Sequence, residues 1–148
     1  MKKLNFKKIT YLGADIVKEL VLKNIKKHKK ENIHFFQLDL IKDDLPNVDL
    51  IICRDCLVHF SYRDIFLALK NLDHSGSKYL LSTTFPEQKN NYDIYTGEWR
   101  ALNLTLPPFN LPKPIKLIKE GCTESKGAYK DKSLGLWKIK DIIKQIKL

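Results

Sequence analysis

Apolar positions change period several times along this chain, and each change predicts an element. Ile9-Thr-Tyr-Leu-Gly-Ala-Asp15 reads as a short buried strand ending in a carboxylate. Val17, Leu20, Val21, Ile25 and His28 then recur at helical spacing, with Lys18, Lys23, Lys26 and Lys27 opposite, which predicts an amphipathic helix. Ile33-His-Phe-Phe-Gln-Leu38 is a second strand, again followed by an acid, Asp39. Val48-Asp-Leu-Ile-Ile-Cys53 is a third, near-continuously apolar as parallel strands covered on both faces are. Ser61 with Asp64 three residues later has the form of a capping box, opening a helix whose buried stripe is Ile65, Phe66, Leu69 and Leu72. Ser77-Lys-Tyr-Leu-Leu-Ser-Thr-Thr84 is a fourth strand.

Strand-helix-strand twice over, with short links, predicts a layered α/β domain built on a parallel sheet. The segment from Phe85 to Pro114 breaks the pattern: it holds five of the six prolines and many asparagines, without a period. A loop of that length in a compact domain is commonly functional or mobile. Ile115 to Glu120 and Leu134 to Ile139 read as two late strands, an antiparallel edge pair, and Ile139, Ile142, Ile143 and Ile146 return to helical spacing. No internal repeat or linker is visible, so residues 1–148 are expected to form one domain.

Composition narrows the class. Hydrophobic residues at 43% and charged residues at 30% describe a globular chain rather than a disordered one. No apolar run approaches the roughly 20 residues that span a bilayer. The first residues lack the apolar stretch of a secretory signal, so a cytoplasmic protein with no membrane partner is expected. The net charge of +10 admits nucleic acid as a partner. Its make-up argues instead for solvated surface, because only Arg54, Arg63 and Arg100 among the 27 basic residues carry the forked guanidinium suited to phosphates and bases. Cys53-Arg-Asp-Cys56 with His59 has metal-like spacing, but no second ligand pair follows and no metal is expected.

Ligands of open α/β sheets bind beyond the carboxyl ends of the strands. Four predicted strand ends carry polar groups: Asp15, Asp39, Cys53-Arg54-Asp55 and Thr83-Thr84. A carboxylate at the tip of such a strand can accept both hydroxyls of a ribose, and Asp39, one strand further along, can accept from an adenine amino group. The alternative for each is a turn or helix-capping aspartate.

Tyr11-Leu-Gly-Ala-Asp-Ile-Val17 resembles the second-strand motif of class I S-adenosylmethionine-dependent methyltransferases, and Phe36-Gln-Leu-Asp-Leu40 their third-strand motif. Asp49-Leu-Ile-Ile-Cys-Arg-Asp-Cys-Leu-Val-His59, Thr96-Gly-Glu-Trp-Arg-Ala-Leu-Asn103, Leu106-Pro-Pro-Phe-Asn-Leu-Pro112 and Asp131-Lys-Ser-Leu-Gly-Leu-Trp137 are similar to segments of a bacterial branch of that family. The resemblance implies a Rossmann-like three-layer sandwich, mostly parallel with an antiparallel edge. It implies S-adenosylmethionine as cofactor, held by Asp15, Ile16, Asp39, Leu40 and Cys53. It also implies methyl transfer to an unidentified acceptor. Asp55 and His59 are the candidates for a base. Trp99 can wall the acceptor pocket. Arg54 and Arg100 can fork onto a carboxylate or phosphate of the acceptor, the alternative being a salt bridge to Asp55 or Glu98. Pro107-Pro108-Phe109 is also similar to a segment of amino-directed nucleic-acid methyltransferases, but Leu106 stands where those carry the group that grips the amine, so that chemistry does not transfer.

The sequence departs from the family at its start. Gly13 is the only glycine before Gly76, and Met1 to Lys8 is too short and lysine-rich to supply the family's first strand and glycine-rich turn. The expectation is therefore an N-terminally truncated domain, in which the strands ending at Asp15 and Cys53 pair directly, leave a hydrogen-bonding gap, or take a strand from a second chain. The alternatives are a catalytically dead binding or assembly module and, third, a basic nucleic-acid-binding protein.

Overall fold

The structure, a computed structural model, describes residues 8–28 and 30–146. The expectation concerning Met1 to Lys8 falls almost wholly on residues 1–7, which lie outside the described residues. Two compact units divide the chain, Met1–Asp43 and Asp44–Leu148.

The first unit is a strand-helix-strand: β1 (Tyr11–Asp15), α1 (Lys18–Lys27) and β2 (Ile33–Gln37). The strands run parallel, in register from Tyr11 opposite Ile33 to Asp15 opposite Gln37. β1 begins two residues later than its pattern suggests, and Ile9 is exposed. Gly13 is explained by packing: a Cβ there would collide with the ring of Phe35 on the neighbouring strand, so only glycine lets that ring lie across β1. Val21 and Ile33 are buried, while Ile16, Val17, Leu20, Leu22 and Ile25 stay exposed, an unfinished apolar face.

The second unit carries a four-stranded sheet in the order β3 (Leu50–Cys53), β4 (Tyr79–Thr84), β6 (Ser133–Lys138), β5 (Lys116–Lys119). β3 and β4 are parallel; β6 pairs antiparallel with β5, as expected of the two late strands, and also antiparallel with β4. Helix α2 (Tyr62–His74) is capped by Ser61, whose hydroxyl accepts the Asp64 amide at 3.2 Å. The distorted single turn α3 (Glu124–Gly127) leads into β6, and α4 (Ile139–Ile146) packs against α2. Ile65, Ala68, Leu69 and Leu72 of α2 join Leu80, Trp137, Ile139 and Ile142 in the core. Trp137 lies over Gly135, where any side chain would meet the indole.

β3 differs from its pattern. Its composition predicts a strand covered on both faces, yet Leu50 is 42% and Ile52 58% exposed. The reason is position: among the described residues β3 is an edge strand, paired with β4 alone, and β1 likewise pairs with β2 alone.

The proline-rich segment is ordered without being regular. Asn91 and Asn103 act as substitute backbone: the Asn91 amide donates to the carbonyls of Asn103 and Pro107 at 2.9 Å and accepts the Asn103 amide at 2.9 Å. Asn103 donates to the carbonyls of Pro86 (3.2 Å) and Gln88 (3.1 Å). Satisfied this way, the segment buries Leu102, Leu104, Phe109 and Leu111. Phe109 stacks against Tyr62 and Phe66, so the Pro-Pro-Phe sequence serves the core.

Candidate functional site

In the first unit the two acids singled out by the sequence share one rim. Asp15 closes β1, and Asp39 stands two residues beyond the end of β2, at the carboxyl ends of parallel strands. The Leu38 amide donates to the Asp15 carbonyl at 3.0 Å, carrying the ladder to the rim. Each carboxylate folds its own turn with one oxygen: Asp15 Oδ1 accepts the Val17 amide at 2.9 Å, and Asp39 Oδ1 accepts the Ile41 amide at 2.9 Å. Asp39 Oδ2 has only the exposed Lys42 ammonium at 3.6 Å, and Asp15 Oδ2 accepts no hydrogen bond among the described residues. Neither acid is locked in a buried ion pair. Between them, the Ile16 carbonyl accepts from Gln37 at 3.0 Å while the Ile16 side chain is 60% exposed. Leu40 is half-buried beside Asp39.

In the second unit the chain leaves β3 through Cys53-Arg54-Asp55-Cys56. The hydrogen bond with Cys56 and complete burial push the Cys53 thiol up, so it is a neutral thiol at physiological pH. Arg54 donates to Glu120 at 2.6 Å, and that bond and charge hold its guanidinium more firmly protonated; a second contact reaches Asp55 at 3.6 Å. The predicted alternative of a salt bridge with Asp55 therefore holds for Arg54. Asp55 takes a left-handed turn (φ 52°), donates its amide to Thr83 Oγ1 at 2.8 Å and pairs with Lys132 at 2.8 Å. Paired with both Arg54 and Lys132, the Asp55 carboxylate organises the strand end. Thr84, the other strand-end threonine, ties β4 to the proline-rich segment through the Leu102 carbonyl and Leu104 amide.

His59 stands at the end of the 3-10 turn Leu57–His59, half-buried, with Nδ1 2.8 Å from the backbone carbonyl of Glu98. A carbonyl only accepts, so Nδ1 carries the hydrogen and neutral His59 presents its lone pair at Nε2. Of the two sequence candidates for a base, His59 is therefore the better equipped. Trp99, 40% exposed, meets Tyr129 (4.9 Å) and Phe85 (6.1 Å) edge-on. An open cavity of about 240 Å³ lies beyond the end of β4, lined by Phe85, Glu87, Gln88, Tyr129, Lys130 and Asp131. Arg100 is fully buried and bonds neither Asp55 nor Glu98.

Lys132, Glu120, Thr96 and Tyr129 were not among the sequence candidates. Each acts through a partner at least 30 residues away in the chain, and only Arg54 and Asp55, charges at a strand end, hinted at partners. No three His, Cys, Asp or Glu converge on a metal-sized site among the described residues.

No protein-family model and no curated protein matches the chain. Solved structures do. PigF, solved with SAH, superposes at a TM-score of 0.58 with 16% identity, covering 88% of this chain and 43% of PigF. Human N-acetylserotonin methyltransferase in complex with SAM superposes at 0.53 with 18% identity, covering 84% of this chain and 39% of that one. An S-adenosylmethionine-dependent methyltransferase from Mesorhizobium loti matches over a shorter stretch, at 0.44 and 20% identity, covering 51% of this chain and 36% of that one. The chain thus shares a Rossmann-like fold with PigF and human N-acetylserotonin methyltransferase and spans about two fifths of their length.

Proposed function

We propose that this chain is part of an S-adenosylmethionine-dependent methyltransferase domain with an unidentified acceptor. One observation carries the reading: Asp15 and Asp39 stand on the same carboxyl rim of β1 and β2, and each keeps an oxygen free of its own turn. A free carboxylate oxygen beside an exposed apolar side chain, Ile16, suits a nucleoside, with hydroxyls for the acid and a ring face for the isoleucine. PigF and the human enzyme, which share the fold, were solved with SAH and SAM, in support of the same cofactor class.

When bound, S-adenosylmethionine supplies an activated methyl group on a sulfonium. What remains for the protein is alignment, worth several kcal/mol, and removal of the acceptor's proton. His59 Nε2 takes that proton, and Glu98 keeps the ring in the receiving tautomer. Asp55, Arg54 and Lys132 fix the strand end from which the Cys53 segment leaves toward His59. Trp99 and the cavity beyond β4 are the acceptor side.

Calorimetry with S-adenosylhomocysteine tests this. Saturable binding abolished by Asp15→Ala supports the enzyme, and absence of heat at millimolar ligand contradicts it. A second reading, a binding or assembly module, is favoured by the open edge of β3, whose exposed Leu50 and Ile52 invite a strand from another chain. It is favoured if the chain fails to bind the cofactor alone yet forms a stable complex through that edge.

A further inference from the structure

Arg100 is 0% exposed, yet two of its three side-chain nitrogens, Nε and Nη2, have no hydrogen-bond partner among the described residues. Its remaining nitrogen, Nη1, donates to the Val58 carbonyl at 3.0 Å, and the guanidinium lies 5.5 Å from the centre of the Tyr62 ring. Among the described residues no carboxylate forms a salt bridge with it. Leaving a buried cation this short of acceptors is strongly unfavourable. The two idle nitrogens are not a random pair. Nε–H and Nη2 lie on one edge of the planar guanidinium, the edge that takes both oxygens of a carboxylate at once.

Tyr92 and Asp93, electrostatic neighbours of the guanidinium, are exposed, and so is every residue from Tyr95 to Trp99, so the chain leading into Arg100 runs along the surface. From Tyr92 to Gly97 it is held by polar bonds: Asp93 accepts the Tyr62 amide (2.7 Å), Thr96 accepts the Ser61 amide (2.9 Å), and Gly97 donates to the His59 carbonyl (2.8 Å), while Trp99 packs on Tyr129 and Phe85. Polar tethers in water exchange readily, which makes this segment far easier to lift than the core. Charge selects the guest. Asp93 is already an electrostatic neighbour of Arg100, with Oδ1 spent on the Tyr62 and Ile94 amides, so a dianion would meet repulsion that a monoanion largely avoids.

We infer that Arg100 is the receptor for a carboxylate on the methyl acceptor, bound edge-on beneath the segment from Tyr92 to Trp99. Arg100 is anchored on Val58, the residue before His59, through both its backbone amide (3.2 Å) and Nη1 (3.0 Å). The acceptor class is thus a small carboxylic acid. Only the word "acceptor" rests on the methyl-transfer reading; the anion site itself does not.

The test uses the full chain with no cofactor present. With three arginines, the side-chain Nε–H spectrum holds three signals, assignable with Arg54→Lys and Arg63→Lys. Benzoate is titrated at constant ionic strength against chloride, with benzamide as the neutral control. Expected is a saturable shift of the Arg100 signal with benzoate alone, and benzoate affinity at least about tenfold weaker in Arg100→Lys. No response of that signal overturns the site. A response to inorganic phosphate but not benzoate overturns the carboxylate. If S-adenosylhomocysteine moves the Arg100 signal as benzoate does, the carboxylate belongs to the cofactor and the acceptor assignment fails. Because the benzoate arm needs no cofactor, failure of the methyltransferase reading leaves it readable.

Discussion

His59 donates from Nδ1 to the backbone carbonyl of Glu98 at 2.8 Å, and this one bond decides which ring nitrogen is available for chemistry. A base working from Nε2 typically contributes a factor of about 100 to 10,000. His59→Gln is therefore expected to lower turnover by about 100-fold or more while binding of S-adenosylhomocysteine stays within twofold of wild type. A drop in turnover below about threefold would assign the imidazole to packing, a role the bond to Glu98 serves equally well.

Thr96 completes the cap of α2 from 32 residues away. Its hydroxyl accepts the Ser61 amide at 2.9 Å and donates to Asp64 Oδ2 at 2.5 Å, so the return arm of the capping box passes through the loop. Thr96→Val removes both bonds and should cost about 1–2 kcal/mol in urea denaturation. It should also speed exchange of the Ser61 amide. Unchanged stability would mean that the helix holds its own cap.

Lys132 gives the chain an alkaline limit. Burial alone would push its ammonium down; the hydrogen bond and charge of Asp55 at 2.8 Å outweigh this and leave it above the ordinary lysine value. A cation whose folded pKa is raised contributes stability that is fully present below its unfolded value of about 10.4 and is lost as pH climbs through the folded one. Urea midpoints of the wild type should therefore fall more steeply above about pH 10 than those of Lys132→Met, with the two curves converging there. Near neutrality the variant should be about 1–2 kcal/mol less stable, a modest figure because Asp55 is a third exposed. Parallel curves across that range would remove the ion pair from the stability of the fold.

Gly13 tests the packing of the first unit. Gly13→Ala sets a methyl group against the Phe35 ring and should destabilise the β1–β2 pair by about 1–3 kcal/mol. Phe35→Leu in the same chain should recover part of that loss. Equal stability of Gly13→Ala and wild type would show that the ring moves aside freely.

Much of this was legible in the residues. Strands ending at Asp15, Cys53 and Thr84 were set by runs of apolar residues stopped by polar ones, and the Ser61 cap by spacing alone. The order Asp15 then Asp39 placed both acids on one rim because parallel strands repeat their direction. Three things were hidden. The proline-rich segment has no period because its backbone is satisfied by Asn91 and Asn103 side chains, a pattern no hydrophobic count detects. The exposure of Leu50 and Ile52 depends on how many neighbours β3 has, which composition cannot report. And Arg54 and Arg100, alike in sequence, end in opposite environments: one exposed and doubly paired with acids, the other buried and short of partners.

The most direct measurement compares adenosine with 2′,3′-dideoxyadenosine, following the backbone amides of Asp15, Ile16 and Leu40 by nuclear magnetic resonance. If the idle oxygen of Asp15 takes the ribose hydroxyls, adenosine shifts these amides saturably and loss of both hydroxyls weakens binding by about tenfold or more. Equal affinity for the two nucleosides, or shifts confined to other residues, would contradict the nucleoside grip on which the methyltransferase reading depends.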